Sequence, residues 1–429
     1  MILLFNVDNS DIKVYYKHII RWLTLLTNLF RRYRMDTQRM INLGKKRSVI
    51  RELFEYGNKR KTEIGPENVF DFSIGNPSVP APKELSDEIK RLVTEENPLA
   101  VHSYTSAPGD LSARKAVAEN LNKRFKTNFG PEHLYLTCGA AASLTISLSA
   151  VVNDGEEVIL FAPYFPEYTV FVETAGGKPV VVPCEWPDFQ INFEKLSESI
   201  TEKTAAVIIN SPNNPSGAVF SEESIKKLSK ILSEAEKRFD KKIYLISDEP
   251  YRELVYGDIK VPFITDYYSD TIVCYSWSKS LSLPGERIGY ILVSPKNESW
   301  GDLYAGICGA GRALGFVCAP ALFQHLIPHC VEMTADISVY EKNRDLLYGE
   351  LKKMGFEAVY PKGAFYLFVK SPEPDANAFS EKAKKHEILI VPSDDFGMEG
   401  FARISYCVST EQIERSLPAF KKLAEEYFL

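Results

Sequence analysis

Short apolar runs alternate with amphipathic segments along the middle of this 429-residue chain. The runs are rich in β-branched and aromatic residues, which is typical of buried strands. They predict strands at Leu134–Thr137, Glu157–Phe161, Ala205–Asn210, Ile243–Ser247 and Thr271–Tyr275, with Arg287–Val293 as a hairpin partner of the last. Helical spacing predicts helices between them, such as Glu222–Phe239. Strands separated by helices indicate an α/β fold with a mostly parallel sheet and helices on both faces.

The pattern changes after about residue 330. A long helical stretch is predicted from Val331 to Met354, and helices are predicted at 378–385 and 411–425. Short strands are predicted at Phe356–Val359, Ala364–Val369, Ile388–Val391 and Phe401–Ser405. This mixture indicates a smaller α+β domain. We expect residues 83–328 to form a large domain, and residues 35–82 together with 329–429 to form the small one.

Residues 1–34 differ from the rest and are interpreted as an N-terminal extension that is disordered or forms an amphipathic helix. Their charge is +4, which leaves −10 on the remainder because the whole chain carries −6. Apolar residues at helical spacing are interrupted by Arg21, and the run is too short to span a bilayer. We therefore expect no stable membrane insertion. A helix on a membrane surface and a later start at Met35 or Met40 remain open alternatives.

Composition and charge exclude several classes of protein. A hydrophobic fraction of 45% and a charged fraction of 25% are ordinary for a soluble globular protein. The acidic balance argues against a nucleic-acid binder. Seven cysteines are scattered without a Cys-x-x-Cys pair, which favours free thiols in a reducing, cytoplasmic compartment. His325, His329 and Cys330 do not share a helical face because Pro328 intervenes, so we expect no metal.

Unusual polar or small residues follow five of the predicted strands. Gly139, Tyr164, Asn214, Asp248 and Lys279 each come shortly after a strand. In mostly parallel sheets, ligands bind at the carboxyl ends of the strands. We therefore expect an acid, a phenol, an amide and an amine to converge on one edge of the sheet and to form a binding site there.

The position of Lys279 calls for a chemical explanation. Lysine is rarely buried without a partner, yet this one closely follows the predicted strand Thr271–Tyr275. An amine in a partly desolvated, cation-rich pocket has a lowered pKa and forms Schiff bases with carbonyl groups. The hydroxyls of Ser276 and Ser278 and the guanidinium of Arg287 suit a phosphate group. For a single Ser-x-x-Lys motif, a surface lysine is the alternative.

Two glycine-containing turns add to this set. Cys138-Gly139-Ala140-Ala141 opens a predicted helix, where unpaired backbone N–H groups can bind a phosphate. Close packing of helix and sheet also favours small residues at such a turn. Gly75 lies in a loop rich in glycine and proline, where the backbone can approach a ligand or simply form a linker.

Together these residues resemble the class I and II aminotransferases of fold type I, which use pyridoxal 5′-phosphate. The resemblance runs from about Phe72 to Cys407 and rests on Asn-Asn-Pro-Ser-Gly at 213–217, Asp-Glu-Pro-Tyr at 248–251 and the lysine segment. It implies the aspartate aminotransferase-like fold, in which a mostly parallel seven-stranded sheet forms the large domain. It also implies that pyridoxal 5′-phosphate is bound through a Schiff base to Lys279.

The resemblance further implies a role for each residue around the cofactor. Asp248 would face the pyridine nitrogen, Tyr251 and Asn214 would bond its O3′ oxygen, and Tyr164 would stack on the ring. The chain would form a homodimer, in which Tyr104 reaches the partner's phosphate. The other phosphate ligands would be Gly139, Ala140, Ala141, Ser276, Ser278 and Arg287.

The same resemblance predicts how substrates are recognised. Arg403 matches the arginine that binds the substrate α-carboxylate, and Gly75 and Asn214 are expected beside it. Arg312, in a glycine-rich segment, either binds a distal carboxylate or lies on a surface loop. The resemblance implies an enzyme that moves an amino group between an L-amino acid and a 2-oxo acid such as 2-oxoglutarate, and binding of a distal carboxylate by Arg312 would favour aspartate as that amino acid.

Two other functions compete with this hypothesis. A C–S lyase or a decarboxylase would use the same lysine and acid, because the cofactor supplies the carbanion chemistry in each case. A cofactor-sensing regulator would need a DNA-binding unit, and the 34 residues of the extension are too few for a helix-turn-helix domain.

Overall fold

Seven strands form the central sheet of the part of the chain that the structure, a computed structural model, describes, namely residues 38–45 and 48–428. The strands of these described residues are β1 (Phe70–Asp71), β2 (Leu134–Thr137), β3 (Glu157–Ala162), β4 (Lys178–Pro183), β5 (Thr204–Asn210), β6 (Tyr244–Asp248), β7 (Thr271–Ser276), β8 (Gly289–Val293), β9 (Tyr366–Lys370), β10 (Ile388–Leu389), β11 (Val391–Pro392) and β12 (Phe401–Ser405).

The helices precede, separate and follow these strands. Residues 38–45 are helical and are named α1. The others are α2 (Val49–Ile64), α3 (Lys83–Glu95), α4 (Pro98–His102), α5 (Leu111–Phe125), α6 (Ala140–Val151), α7 (Glu167–Thr174), α8 (Phe193–Ser199), α9 (Glu222–Phe239), α10 (Trp277–Ser280), α11 (Trp300–Ala313), α12 (Ala321–Cys330), α13 (Ser338–Lys353), α14 (Ala376–Lys385) and α15 (Thr410–Phe428).

The central sheet has the strand order β2-β8-β7-β6-β5-β3-β4. Strand β8 runs antiparallel to β2 and β7, and the remaining neighbours pair in parallel. Helices cover both faces of this sheet. On one face Leu160 packs in a cluster with residues of α6 and α11, and on the other Ile159 packs with residues of α9. The predicted α/β class with a mostly parallel, seven-stranded sheet is confirmed.

Two smaller sheets lie towards the carboxyl end of the chain. Strands β11, β12 and β9 form an antiparallel sheet, and β1 pairs with β10 in parallel. Helices α13 and α15 pack together through a cluster that includes Leu347, Leu351 and Phe420. Tyr56–Leu429 forms one compact unit, and Met1–Glu55 is a separate one. The domain boundaries predicted at 82/83 and 328/329 stay predictions, and the extension 1–34 lies outside the described residues.

Several predictions of local structure were wrong. The helix predicted over Val331–Met354 begins only at Ser338, where the carboxylate of Asp336 accepts a hydrogen bond from the Ser338 N–H and so starts a new helix. The strand predicted at Phe356–Val359 is reduced to one bridge at Ala358. The strand predicted at Ile388–Val391 is split into β10 and β11, which belong to different sheets.

No helix within residues 38–45 and 48–428 is long and apolar enough to cross a membrane. All seven cysteines are free thiols, as the sequence predicted.

Candidate active site

The carboxyl ends of β5, β6 and β7 lie side by side at one edge of the central sheet. Asn210 at the end of β5 is in register with Asp248 at the end of β6, and Asp248 is in register with Cys274 of β7. These three strands are almost entirely buried, because helices cover both faces of the sheet. The polar residues that follow them are therefore brought together, as the sequence predicted for Asn214, Asp248 and Lys279.

Asp248 is a buried carboxyl group with one oxygen engaged and the other unpartnered. Its Oδ2 accepts a hydrogen bond from the hydroxyl of Tyr168, and the Asn210 amide donates to its backbone oxygen at 2.9 Å. The Oδ1 atom has no hydrogen-bond partner among the described residues. Burial raises the pKa of Asp248 to about 7, although the Tyr168 hydrogen bond acts in the opposite direction. A buried acceptor of this kind is ready to receive a proton donor.

Lys279 lies in the single-turn helix α10, three residues beyond the end of β7. Its Nζ donates a hydrogen bond to the carbonyl oxygen of Gly75 at 2.6 Å. Burial lowers the pKa of Lys279 to about 8, and the guanidinium groups of Arg403 and Arg287 contribute in the same direction. The predicted environment of this amine, partly desolvated and rich in cations, is present. An amine with such a pKa is partly unprotonated near neutral pH and can act as a nucleophile or a base.

A turn of small residues forms a cradle at the start of α6. Gly139 precedes Ala140 and Ala141, the first residues of the helix, and has a φ of 88°. A Cβ atom at Gly139 would lie 3.0 Å from Nη2 of Arg287, so the guanidinium packs directly against this turn. Glycine is required here because the backbone is left-handed and the arginine approaches closely. The amino end of a twelve-residue helix and a cation thus face the same place.

Two serine hydroxyls belong to the neighbouring turn. Ser276 caps α10 by accepting a hydrogen bond from the Ser278 N–H at 3.1 Å, and the two hydroxyls lie 2.6 Å apart. Both side chains are buried. Gly289 of β8 follows Arg287 closely in sequence. A Cβ placed on Gly289 would lie 3.0 Å from the Cα of Gly139, so β8 links the turn at α10 to the turn at α6. Hydroxyls, N–H groups and a guanidinium are the usual ligands of a phosphate.

Arg403 is a buried arginine whose two terminal nitrogens are hydrogen-bonded to the protein. Its Nη1 donates to Oδ1 of Asn214 at 3.1 Å, and its Nη2 donates to the carbonyl oxygen of Ser73 at 2.6 Å. The guanidinium carbon lies 4.8 Å from the centre of the Tyr366 ring. Within the described residues its Nε has no partner. Burial lowers the pKa of Arg403, and no acidic side chain of the described residues pairs with it, which leaves a cation that an anionic group can neutralise.

Tyr251 follows β6 and completes this group of side chains. Its hydroxyl lies 2.8 Å from the hydroxyl of Tyr366. Both rings are buried, and burial raises the pKa of Tyr251 well above its usual value. Tyr251 was predicted from the sequence and Tyr366 was not.

Two adjacent aromatic rings, those of Tyr164 and Phe165, follow β3. Tyr164 lies with its ring against Gly397, and its backbone N–H donates to the Phe396 carbonyl at 3.0 Å. Phe165 is half-buried, with its ring centre 5.7 Å from that of Tyr168, the residue that binds Asp248. The stacking role of Tyr164 stays a prediction, and the ring of Phe165 is a second candidate for it.

Tyr104 and Arg312 are not joined to this cluster of side chains. Tyr104 is 96% exposed on the loop after α4. Arg312 is exposed on the last turn of α11, so the glycines around it belong to a helix and the idea of a surface loop was wrong. In the described part of the chain, neither side chain makes a hydrogen bond to the other predicted site residues.

Sequence reasoning missed four residues that contact the predicted ones, namely Tyr168, Asn210, Tyr366 and the carbonyl of Ser73. Tyr168 could have been noticed, because it lies on the helix that follows Tyr164 and a buried phenol requires a partner. Asn210 could have been noticed in the same way as Asp248, because it is a polar residue at the end of a predicted buried strand. Tyr366 and Ser73 gave no local signal, because their contacts depend on how distant strands are placed.

Comparisons with known proteins agree on one family. The family model for aminotransferase class I and II matches residues 67–420. The chain is 32% identical over 379 residues to a probable aspartate/prephenate aminotransferase of Aquifex aeolicus, which covers 84% of this chain and 92% of the relative. It is 30% identical over 393 residues to aromatic-amino-acid aminotransferase 2 of Thermococcus litoralis, which covers 88% of this chain and 96% of the relative.

Solved structures give the same result. An amino transferase from Eubacterium rectale is 56% identical, with a TM-score of 0.90 over 91% of this chain and 99% of that chain. The aspartate aminotransferase of Thermus thermophilus with maleate is 25% identical, with a TM-score of 0.78 over 88% of this chain and 97% of that chain.

Proposed function

Because the chain belongs to the class I and II aminotransferases, we propose that it transfers the amino group of L-aspartate to 2-oxoglutarate with pyridoxal 5′-phosphate bound at Lys279. The observation that carries this proposal is the convergence of Lys279, Asp248 and Arg403 at one site. An amine, a buried acid and a buried arginine that pairs with no acid among the described residues are the three groups that such a reaction requires.

The residues present fit the cofactor. Oδ1 of Asp248 is a buried acceptor without a partner, which is the requirement for holding a protonated pyridine nitrogen. The cradle formed by Gly139, Ser276, Ser278 and Arg287 offers the ligands of a phosphate. When bound, pyridoxal phosphate supplies the electron-accepting ring that makes the α-proton of an amino acid removable.

The amide of Asn214 can contribute to the same site. Its oxygen already accepts from Nη1 of Arg403, so its Nδ2 is directed to a different acceptor. We assign that acceptor to the O3′ oxygen of the cofactor, together with the hydroxyl of Tyr251. Of the two adjacent rings, Phe165 is the better candidate for covering the pyridine, because it contacts Tyr168 and thereby lies close to Asp248.

Lys279 and Arg403 divide the work on the substrate. Lys279 Nζ, with a pKa of about 8, can take up and release a proton near neutral pH, which is the property required of a base at the α-carbon. Arg403 has a free Nε and a planar fork, so it can bind the α-carboxylate through two hydrogen bonds. Gly75 allows its backbone to approach, since a Cβ there would overlap the Tyr366 hydroxyl.

A homodimer would complete the site. Tyr104 is 96% exposed, and the apolar side chains of Leu99 and Leu111, in the same stretch of the chain, and of Val317 are exposed as well. The loop at 317–319 lines the same surface depression as Tyr104. An exposed apolar surface of this kind favours association with a second copy of the chain. In that arrangement Tyr104 would reach the phosphate of the partner's cofactor.

The preference for aspartate has two sources of support. Several relatives are named aspartate aminotransferases, and the Thermus enzyme was solved with maleate, a dicarboxylate. Arg312 is exposed a few residues before the loop that lies beside Tyr104. If the dimer covers this surface, Arg312 would bind a distal carboxylate in the partner's site.

The free cysteines agree with a cytoplasmic location.

One product analysis tests this function. The purified protein is incubated with pyridoxal phosphate, L-aspartate and 2-oxoglutarate, and we expect glutamate and oxaloacetate in equal amounts. With L-cysteine in place of aspartate, release of ammonia, pyruvate and sulfide would indicate elimination at a C–S bond instead, and release of carbon dioxide with alanine from aspartate would indicate β-decarboxylation. Replacing aspartate by alanine or tyrosine measures the preference for the donor.

A further inference from the structure

Tyr366 is a buried tyrosine at the start of β9 that none of the roles above requires. In the antiparallel pair of β9 and β12, it is in register with Ser405. Arg403 lies two residues before Ser405, so its side chain is on the same face of the sheet as that of Tyr366. This register explains why the guanidinium of Arg403 lies 4.8 Å from the ring centre of Tyr366.

The hydroxyl of Tyr366 meets two other parts of the site. It lies 2.8 Å from the hydroxyl of Tyr251, and it packs against Gly75 so closely that a Cβ there would overlap it. Gly75 is also the residue whose carbonyl oxygen accepts the hydrogen bond of Lys279. Tyr366 therefore contacts three residues of the site. Arg403 is proposed to bind the substrate carboxylate and Tyr251 the O3′ oxygen, and Gly75 binds Lys279.

The guanidinium of Arg403, beside the ring of Tyr366, determines which hydroxyl of the Tyr366–Tyr251 pair donates. A guanidinium over the ring of Tyr366 stabilises negative charge on its oxygen, which makes the O–H a better donor. Burial raises the pKa of both phenols, and Arg403 opposes this effect in both. The guanidinium lies against the ring of Tyr366, so the O–H of Tyr366 donates and the hydroxyl oxygen of Tyr251 accepts. The single proton of Tyr251 is then left for another acceptor.

We propose that Tyr366 is a positioning residue of the transfer reaction, whose ring seats Arg403 and whose hydroxyl donates to Tyr251 so that Tyr251 donates to the cofactor oxygen. This inference rests on the proposed function. A chain of two hydrogen bonds strengthens the second one, so Tyr366 stabilises negative charge on O3′ without touching it.

Two variants separate the hydroxyl from the ring. Tyr366→Phe keeps the ring and removes the donor. The pH midpoint of the visible absorption of the bound cofactor should then rise by roughly 0.3 to 1 unit, the equivalent of one neutral hydrogen bond. Its affinity for maleate should stay within about twofold. Tyr366→Leu also removes the ring, and maleate binding should weaken by roughly 3- to 30-fold, as expected for the loss of a cation–π contact.

Tyr406→Phe is the matched control. Tyr406 is also a buried tyrosine near the small sheets, but its hydroxyl faces Ala364 O and Tyr256, and Tyr256 keeps a hydrogen bond to that carbonyl. A midpoint for Tyr366→Phe equal to those of wild type and Tyr406→Phe overturns the inference. So does equal weakening of maleate binding in Tyr366→Phe and Tyr366→Leu. If the wild type gains no visible absorption with pyridoxal phosphate, the proposed function fails instead.

Discussion

The hydroxyl of Tyr168 donates a hydrogen bond to Oδ2 of Asp248 and joins α7 to the carboxyl end of β6. The contact fixes which carboxyl oxygen is exposed to the site, because Oδ1 is left without a partner in the described part of the chain. It also opposes the effect of burial, which raises the pKa of this acid. Tyr168 therefore controls both the orientation and the charge of the acid proposed to hold the pyridine nitrogen.

Replacing Tyr168 by phenylalanine should weaken cofactor binding most at low pH. Loss of the donor raises the pKa of Asp248 further above about 7, so the carboxyl stays protonated over a wider range. A hydrogen bond to a charged group contributes about 1.5 to 3 kcal/mol, which corresponds to roughly 10- to 100-fold in affinity. Titration of the cofactor-free protein with pyridoxal phosphate between pH 6 and 9 measures the effect.

Tyr268→Phe is the control for this experiment. Tyr268 is also buried, but its hydroxyl donates to the carbonyl of Ile243, just before the opposite end of β6. Its affinity for pyridoxal phosphate should match the wild type at every pH. An affinity of Tyr168→Phe that is reduced equally at pH 6 and pH 9 would contradict the role in setting the charge of Asp248.

The stability of the cofactor-free protein should depend on pH through Asp248. Its pKa is 3.8 in the unfolded chain and about 7 in the fold, so the folded state keeps a proton that the unfolded state loses. The stability that this proton contributes is therefore fully present below about pH 4 and is lost as the pH rises to about 7. Asp248→Asn cannot lose this proton. Between pH 5 and 7, the free energy of unfolding of Asp248→Asn, relative to that of the wild type, should therefore increase by ~1.4 kcal/mol per pH unit.

Urea denaturation of both cofactor-free proteins measures this difference. Above about pH 8 the gain should level off, because Asp248 is then ionised in the fold as well as in the unfolded chain. Adding pyridoxal phosphate should reverse the order, since the cofactor stabilises only a protein that binds it well. A difference between the two proteins that is the same at pH 5 and pH 8 would show that the acid has no raised pKa.

The central sheet was predictable because its strands are buried on both faces. Leu134–Thr137 of this sheet matches the prediction at both ends. So do Phe401–Ser405, in the small antiparallel sheet, and helix Glu222–Phe239. Strand β4 was missed because it contains two prolines and lies at the sheet edge, where alternation is weak. Helix α11 was missed because four glycines give no helical signal, and packing against the sheet overrides their low propensity.

The site was predictable to the extent that its residues end strands. Asp248 and Lys279 were found because an acid and an amine after buried strands are unusual. Tyr366 was not found, because its contact with Tyr251 spans 115 positions and depends on the register of β9 and β12. Contacts of this kind are set by tertiary packing, which local patterns do not record.

Lys279→Ala should abolish turnover and still bind pyridoxal phosphate weakly. The phosphate cradle at Gly139 and Arg287 is unchanged in this variant, but the covalent link and the base are lost. In the wild type, visible absorption should appear with the cofactor, and borohydride should attach it to Lys279, as located by peptide mass spectrometry. Lys296→Ala, whose amine faces Thr265 and Asp266, should behave as the wild type. Labelling of another lysine would exclude this assignment.

Complementation between inactive chains should reveal the dimer. A Tyr104→Phe chain mixed with a Lys279→Ala chain would form hybrids in which one site carries both changes and the other carries none. For equal amounts and random pairing, roughly one quarter of all sites are then intact. Activity should rise to about that fraction of the wild type and exceed both parents. Activity that equals the mean of the two parents would show that Tyr104 serves its own chain or none.

The two arginines should affect substrates differently. Arg403 binds a group common to all amino acids, so Arg403→Leu should lower kcat/KM for aspartate, alanine and tyrosine alike, by roughly 100-fold for a charge-assisted bidentate contact. Arg312 should matter only where a second carboxylate is present. Arg312→Leu should lower kcat/KM for aspartate by roughly 10- to 100-fold and leave alanine unchanged, which is a change in differential binding of the transition state.

The exposed position of Arg312 makes this prediction sharper. On its own chain the guanidinium is exposed at the end of α11, so a role in recognition requires that the partner's site lie against it. In a hybrid of Arg312→Leu with Lys279→Ala, the surviving site would then receive Arg312 from the Lys279→Ala chain and should keep the aspartate preference of the wild type. A surviving site that has lost this preference would place Arg312 in its own chain's site. Equal kcat/KM ratios in Arg312→Leu and wild type would show that Arg312 binds no substrate.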